Sequence, residues 1–338
     1  MTVFADRAPV SAGEDADAER ILAELGLAPT PTLDLRLAPT RWRPGASAWF
    51  RGSVVYGCAQ EAWDVVLARE GTPIGLVPQR VPVVLEAHGL ESALVAEAGG
   101  DPRAAHAREG REATRARAFV ANGGGTLNAW EQAQPVLPKC RSVLANATGI
   151  PLQDASPRTG LLIPSRGEDV VVAGSLPAYK GALTVLAALD SASWPVGARL
   201  VLLGGGEAAR PSHPDLVVEP GLPAPALGRR LARARVLLVP LVANVFGREL
   251  ASPLKLWDAL ASCVPIVAPD LPTVHDVLAR AGVRPDGEGV FLHAPGVPDA
   301  LAEAVARAWE APQRTPRVRT WGDRAAELEA VLLEACAC

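Results

Sequence analysis

From Val170 to Trp309 the sequence cycles through one unit: a short β-branched and aliphatic run, a turn bearing Gly or Pro, then an Ala/Leu-rich stretch of helical length. The runs are VVVAGS (170–175), RLVLLG (199–204), LVVEPG (216–221), VLLVPL (236–241), PIVAP (265–269) and VFLHA (290–294). Helices are expected from Ala182, through Leu227 to Ala234, and from Pro253, Pro272 and Pro298. Apolar strands separated by helices join by crossovers rather than hairpins, which forces a parallel sheet with helices on both faces. Pro suits the first turn of a helix, where its missing N–H removes no bond.

The first half follows the same grammar less cleanly. TVFAD (2–6), LDLRL (33–37), SVVYG (53–57), PVVLEA (82–87), RAFVAN (117–122) and RSVLAN (141–146) read as strands, with helices over Ala18 to Leu25 and from Gln60. Residues 153–169 are rich in Ser, Pro, Arg and Gly and lack apolar periodicity, as a linker does. At 338 residues the chain is long enough for two cores. The expected architecture is α/β, with two Rossmann-like doubly wound domains facing across a cleft. We assign residues 1–155 to the first domain, 156–168 to the linker, 169–312 to the second domain and 313–338 to a terminal helical segment. In that segment Trp321 is expected to make a dry contact that packs the helix back toward the first domain.

Charge and cysteine content narrow the function. A net charge of −4 disfavours a nucleic-acid partner, which would call for a surplus of cations. No apolar run reaches the roughly 18 residues of a membrane span, and the opening MTVFADRAPV lacks the pattern of a secretory signal. Cys58, Cys140, Cys263, Cys336 and Cys338 are odd in number and mostly far apart, which suits reduced thiols and a cytoplasmic location. The histidines show no metal-ligand spacing. Arg103, Arg108, Arg111, Arg115 and Arg117 make one Ala-rich segment basic, a candidate for peripheral contact with the inner face of a membrane, although it lacks large apolar residues to enter a bilayer.

Lysine usage points to the chemistry. Only three lysines stand against thirty arginines, and two of them lie at strand-to-helix turns: Lys180 in GSLPAYKG (174–181) and Lys255 in SPLKLWD (252–258). An ammonium on a flexible stem is a point charge, unlike the planar guanidinium fork. Each turn lies at the carboxyl edge of a parallel strand and leads into a helix, the place where open α/β sheets bind anions. A solvated lysine on a plain turn would explain either one alone. Two such turns at neighbouring strand ends favour a diphosphate site, with Asp258 placed to accept hydrogen bonds from a ribose diol.

The blocks VVVAGSLPAYKGALTVLAALD, RLVLLGGG, VVEPGLPAPALGRRLARARVLLVPL, RELASPLKLWDALASCVPIVAPDLPTVHDVL and LAEAVARAWE resemble, in order and spacing, the nucleotide-binding half of family 4 retaining glycosyltransferases of GT-B fold. The likeness is to members with a Ser-Pro-Leu-Lys-Leu-Phe-Glu segment, and it covers nearly all of 169–312. In the first half, PVVLEAHGL (82–90) is similar to the family's acceptor-domain strand ending in Glu-x-His.

The resemblance implies catalytic roles for His88, Lys180 and Lys255. The two lysines would neutralise the diphosphate of a sugar nucleotide, and His88 would donate a hydrogen bond to a donor hydroxyl or the reaction centre. Gly13, Ser175, Arg248, Ser252, Pro253, Leu254 and Asp258 would complete the donor site, Asp258 standing where the family has its ribose-binding Glu. A UDP or GDP sugar is the expected donor, with no tightly bound cofactor and no metal. The acceptor is open: a saccharide, a lipid-linked glycan, a natural product or a small metabolite. Three positions depart from the family pattern. Ser175 replaces an Arg, Leu250 occupies the place of a Glu that meets the donor sugar, and the loop after TVFAD is short. These departures keep two alternatives open: an epimerase or hydrolase of sugar nucleotides, and a non-catalytic sugar-nucleotide-binding scaffold.

Overall fold

The computed structural model describes residues 2–5, 34–37, 63–71, 74–150, 167–204 and 213–337. Strands β1 (Thr2–Ala5) and β2 (Asp34–Leu37) pair in parallel. Strands β3 (Val66–Arg69), β4 (Val83–Ala87), β5 (Ala118–Ala121) and β6 (Cys140–Val143) form a four-stranded parallel sheet in chain order. Helices α1 (Glu91–Glu97) and α2 (Arg103–Arg115) connect β4 to β5, and α3 (Gly124–Ala133) connects β5 to β6.

One expectation is corrected here. The helix read from Gln60 gives way to β3, whose Val66 to Arg69 pair with Val83 to Glu86. Ala68 is buried with Ile74, Val77, Val81 and Val83, and Val66 packs against them. Packing beside β4 thus outweighed the helical composition of the segment. The helix read over 18–25 and the strand read at 53–57 lie outside the described residues.

Side-chain alternation along β4 assigns its two faces. Leu85 and Ala87 pack with Phe119, Ala121, Ala129 and Trp130. Val84 faces the other way, with Ala118, Val120 and Leu144. Glu86 shares the face of Val84.

The second domain is a six-stranded parallel sheet of β7 (Asp169–Ala173), β8 (Arg199–Leu203), β9 (Leu216–Glu219), β10 (Val236–Leu238), β11 (Ile266–Pro269) and β12 (Val290–His293). Its spatial order is β9-β8-β7-β10-β11-β12, so the winding reverses between β7 and β10. Its helices are α4 (Ala182–Ala187), α5 (Ala224–Ala232), α6 (Leu254–Ala261), α7 (Pro272–Arg280) and α8 (Pro298–Glu310). Val171, Val201, Leu203 and Leu237 pack on Leu231, Leu256, Trp257, Leu260, Val274 and Leu278. Val170, Val172, Leu200, Leu238 and Val267 face Val185, Leu301 and Val305. Both faces of every central strand are therefore covered, as its continuous apolar composition requires.

The last helix, α9 (Trp321–Ala337), returns to the first domain, where Val331 and Ala335 pack with Val84, Val120 and Leu144. The chain enters it beside β6: the Thr148 N–H donates to the Arg319 carbonyl at 2.9 Å. The brace expected of Trp321 is corrected, because that ring is 44% exposed. Arg324, Val331 and Ala335 form the buried stripe of α9 at helical spacing, and Trp321 stands one turn ahead of it with its ring 5.6 Å from the Arg324 guanidinium.

Three arginines of the basic segment are engaged by their own surroundings. Arg103 pairs with Asp101, Arg108 with Glu91, and Arg115 donates to the carbonyls of Val77, Pro78 and Val81. No helix among the described residues is long and apolar enough to cross a membrane.

Candidate active site

The winding reverses between β7 and β10, and doubly wound sheets receive ligands at the carboxyl ends of the strands flanking such a reversal. Gly174 leaves β7 at φ +75°, and a Cβ there would lie 3.4 Å from Lys255 Cε. Lys255, in the first turn of α6, reaches back toward β7 and its Nζ donates to the Ser175 carbonyl at 2.9 Å. Lys180 ends a single 3-10 turn, Ala178–Lys180, and Gly181 at φ +100° starts α4.

This turn is fastened to the loop after β10. Asn244 Nδ2 donates to the Tyr179 carbonyl at 3.1 Å, and the Tyr179 ring meets Phe246 edge-on with centroids 5.9 Å apart. A Cβ on Gly181 would touch Val242 and Leu241 at 3.4 and 3.7 Å. The two strand ends therefore bring Lys180 and Lys255 to one place. Burial, and after it the charge of Lys180, pull the Lys255 ammonium down to about 8. Two half-buried cations gathered at one place are a receptacle for anionic charge.

Pro253 precedes Leu254 at the start of α6, and no side chain among the described residues caps the helix, so its leading amides present the positive end of the helix dipole. Among the described residues the buried Ser252 hydroxyl has no hydrogen-bond partner, while its carbonyl accepts from Asn146 Nδ2 at 2.9 Å. Leu254 is half-exposed beside Lys255.

Two expected donor-site residues have other partners. Asp258 Oδ1 accepts from Thr148 Oγ1 at 2.8 Å and from the Gly149 N–H at 3.0 Å, which ties α6 to the segment after β6. Burial pushes the Asp258 carboxyl up, against the pull of those two bonds. Arg248 is exposed and turns its Nε to the Ala243 carbonyl at 3.0 Å, within its own loop. Gly13 lies outside the described residues.

His88 follows β4 at the carboxyl edge of the first sheet. Its Nε2 lies 3.1 Å from Glu86 Oε1, and its backbone N–H donates to Glu70 Oε2 at 3.0 Å. Arg324 of α9 donates to the same Glu86 oxygen. Burial works against the charge of Glu86, yet the His88 hydrogen bond and the Arg324 charge hold its carboxyl at about 2.

The domains meet along the segment that carries the donor motif. Residues Phe246–Leu250 form a π-helical turn, and Leu250 is fully buried among Leu85, Ala87, Phe119 and Trp130 of the first domain. Thr126 Oγ1 lies 3.2 Å from the Leu250 carbonyl, and Asp276 Oδ2 accepts the Gly124 N–H at 3.1 Å. Glu97 Oε1 accepts the Val245 N–H at 2.7 Å. Leu250 is thus an apolar plug in the first domain's core. That outcome follows from its residue type, since a carboxylate there would be buried without a cation.

Glu86 could have been found from the Glu-x-His signal, because strand alternation puts residues i and i+2 on one face. Arg324, Thr148 and Asp276 carried no local signal, each being more than a hundred residues from its partner.

Residues 167–311 match the family model described as glycosyl transferases group 1. No curated protein matches the sequence. Among solved structures, sucrose-phosphate synthase from Thermosynechococcus elongatus is similar at 16% identity and a TM-score of 0.65, covering 91% of this chain and 83% of that one. HepE of Anabaena, in complex with UDP and glucose, is similar at 14% identity and a TM-score of 0.60, covering 94% and 89%. An α,α-trehalose-phosphate synthase (UDP-forming) from Burkholderia vietnamiensis is similar at 11% identity and a TM-score of 0.54, covering 88% and 76%. These likenesses give the fold, GT-B, with two parallel-sheet α/β domains. The chain therefore has the GT-B architecture, and its second domain is similar to the glycosyl transferases group 1 family.

Proposed function

We propose that the protein transfers a sugar, with retention of configuration and without a metal ion, from a nucleoside-diphosphate sugar to an acceptor hydroxyl. The observation that carries this reading is the seat of Lys255, whose Nζ rests on the Ser175 carbonyl beside Gly174 at the reversal of the second sheet. Lys180 stands close enough to depress its charge. A diphosphate bound there would satisfy both cations. The UDP complexes of HepE support a UDP sugar as the first donor to try.

In the proposed step the bond between the anomeric carbon and the β-phosphate oxygen breaks while the acceptor oxygen bonds to that carbon from the same face. The acceptor's proton passes to the departing phosphate oxygen. Negative charge grows on the diphosphate, where Lys180, Lys255 and the leading amides of α6 would meet it without reorganising. No protein base is then called for.

The test is turnover of UDP and GDP sugars with a panel of acceptors, with and without a chelator. Turnover that depends on acceptor and survives chelation is expected. Lys255→Ala should lower it by about 100-fold or more. Acceptor-independent consumption of donor would replace this reading with a hydrolase or epimerase, and donor binding without turnover would replace it with a scaffold.

A further inference from the structure

The terminal helix delivers one charged side chain to the carboxyl edge of the first sheet. Arg324 is 238 residues from Glu86 in sequence, yet it donates to Oε1 of that carboxylate. The same oxygen lies 3.1 Å from His88 Nε2. All three side chains are mostly buried. The approach is built into the packing: Glu86 shares the face of Val84, which α9 covers through Val331 and Ala335.

The chemistry of this chain is directional. Glu86 stays ionised because burial is overcome by the His88 hydrogen bond and the Arg324 charge. An ionised carboxylate only accepts. The His88 nitrogen facing it must therefore carry a proton, and whenever the ring is neutral Nδ1 is its acceptor nitrogen. Arg324, by holding the carboxylate from the other side, keeps Glu86 from rotating off the imidazole.

We infer that Arg324 is a positioning residue which acts through Glu86 to fix His88 in the Nε2–H tautomer, so that the ring offers Nδ1 as a hydrogen-bond acceptor to a hydroxyl of a bound sugar. This rests on the transferase reading above and reverses the donor role expected for His88. The C-terminal helix is then part of the active-site machinery rather than a packing element alone. Its substrate partner is a hydroxyl group that donates toward the first domain.

The test reads the ring directly. Long-range 1H–15N spectra of the labelled protein, with His88→Gln to assign the signals, report the tautomer. The charged groups around His88 are Glu86 on β4, Arg324 on α9, and Glu70 beyond β3 with Arg69 beside it. A neutral Nε2–H ring is expected. Arg324→Gln frees the carboxylate to rotate, and Glu86→Gln replaces it by an amide that can donate as well as accept, so each should admit the Nδ1–H form.

Arg324→Lys, which keeps the charge, should keep the tautomer. A neutral ring protonated on Nδ1, or a tautomer unchanged in both Arg324→Gln and Glu86→Gln in folded protein, would overturn the inference. Near-UV circular dichroism establishes folding, and if Arg324→Gln fails to fold, Glu86→Gln and Arg324→Lys carry the comparison. Because these spectra need no substrate, a protein without transferase activity would still show or refuse the tautomer, which separates this inference from the function it rests on.

Discussion

A Cβ placed on Gly125 would stand 2.1 Å from the carbonyl oxygen of Glu249, so the first domain's α3 and the second domain's π-helical turn meet backbone against backbone. Only glycine allows that approach. The contact lies beside Thr126 and the buried Leu250, at the seam that holds the two halves of the cleft together.

Gly125→Ala should therefore spread this seam. We expect a loss of about 1–3 kcal/mol, the usual cost of overpacking, measured as a lower urea midpoint. Small-angle X-ray scattering should show a larger radius of gyration, and kcat/KM should fall while nucleotide still raises the melting temperature. An unchanged urea midpoint would show that the seam adjusts without cost.

The pH dependence of nucleotide binding follows from Lys255, which loses its proton near 8 in the unliganded protein. A diphosphate favours the ammonium, so its binding raises that value and takes up a proton between the two. Affinity for UDP should accordingly fall as pH rises through 8, by at most about tenfold per unit. Calorimetry in buffers of different ionisation enthalpy measures the proton uptake, and Lys255→Ala should abolish it. Uptake that persists in the variant would remove Lys255 from the diphosphate.

Gly174 and Gly197 make a matched pair. Both have positive φ, +75° and +78°, but a Cβ at Gly174 would touch Lys255 whereas at Gly197 it would meet none of the described residues within 4 Å. Replacing either by Ala should cost about 1–2 kcal/mol of left-handed strain. Only Gly174→Ala should also weaken UDP binding several-fold by displacing the lysine, as thermal shift titrations would register. Equal binding by both variants would mean that the Lys255 stem has room to move.

Asp258 separates a structural from a ligand role. Asp258→Ala leaves the buried Thr148 hydroxyl without its acceptor, and the unpaired group should lower stability by about 1–3 kcal/mol in urea unfolding. Asp258→Asn keeps an acceptor oxygen and should lose less. If Asp258 also receives the ribose, UDP should bind more weakly to both variants while binding of inorganic pyrophosphate is unaffected. Equal losses for UDP and pyrophosphate would assign Asp258 to the tie alone.

The alternation of apolar runs and helices by itself determined the second sheet, because a run buried on both faces must be parallel and its crossovers must be helical. It also determined the turns that carry Lys180 and Lys255, whose place at strand ends is a property of the chain order. The segment at 66–69 shows the limit of such reading: its composition is helical, and pairing with β4 made it a strand. What the tertiary structure alone decided are the contacts across long sequence separations: Arg324 on Glu86, Asp258 on Thr148, and Leu250 in the core of the other domain. Local sequence sets backbone geometry over a few residues, whereas these partners are chosen by how two finished sheets and a returning helix pack, and that choice leaves no periodicity to read.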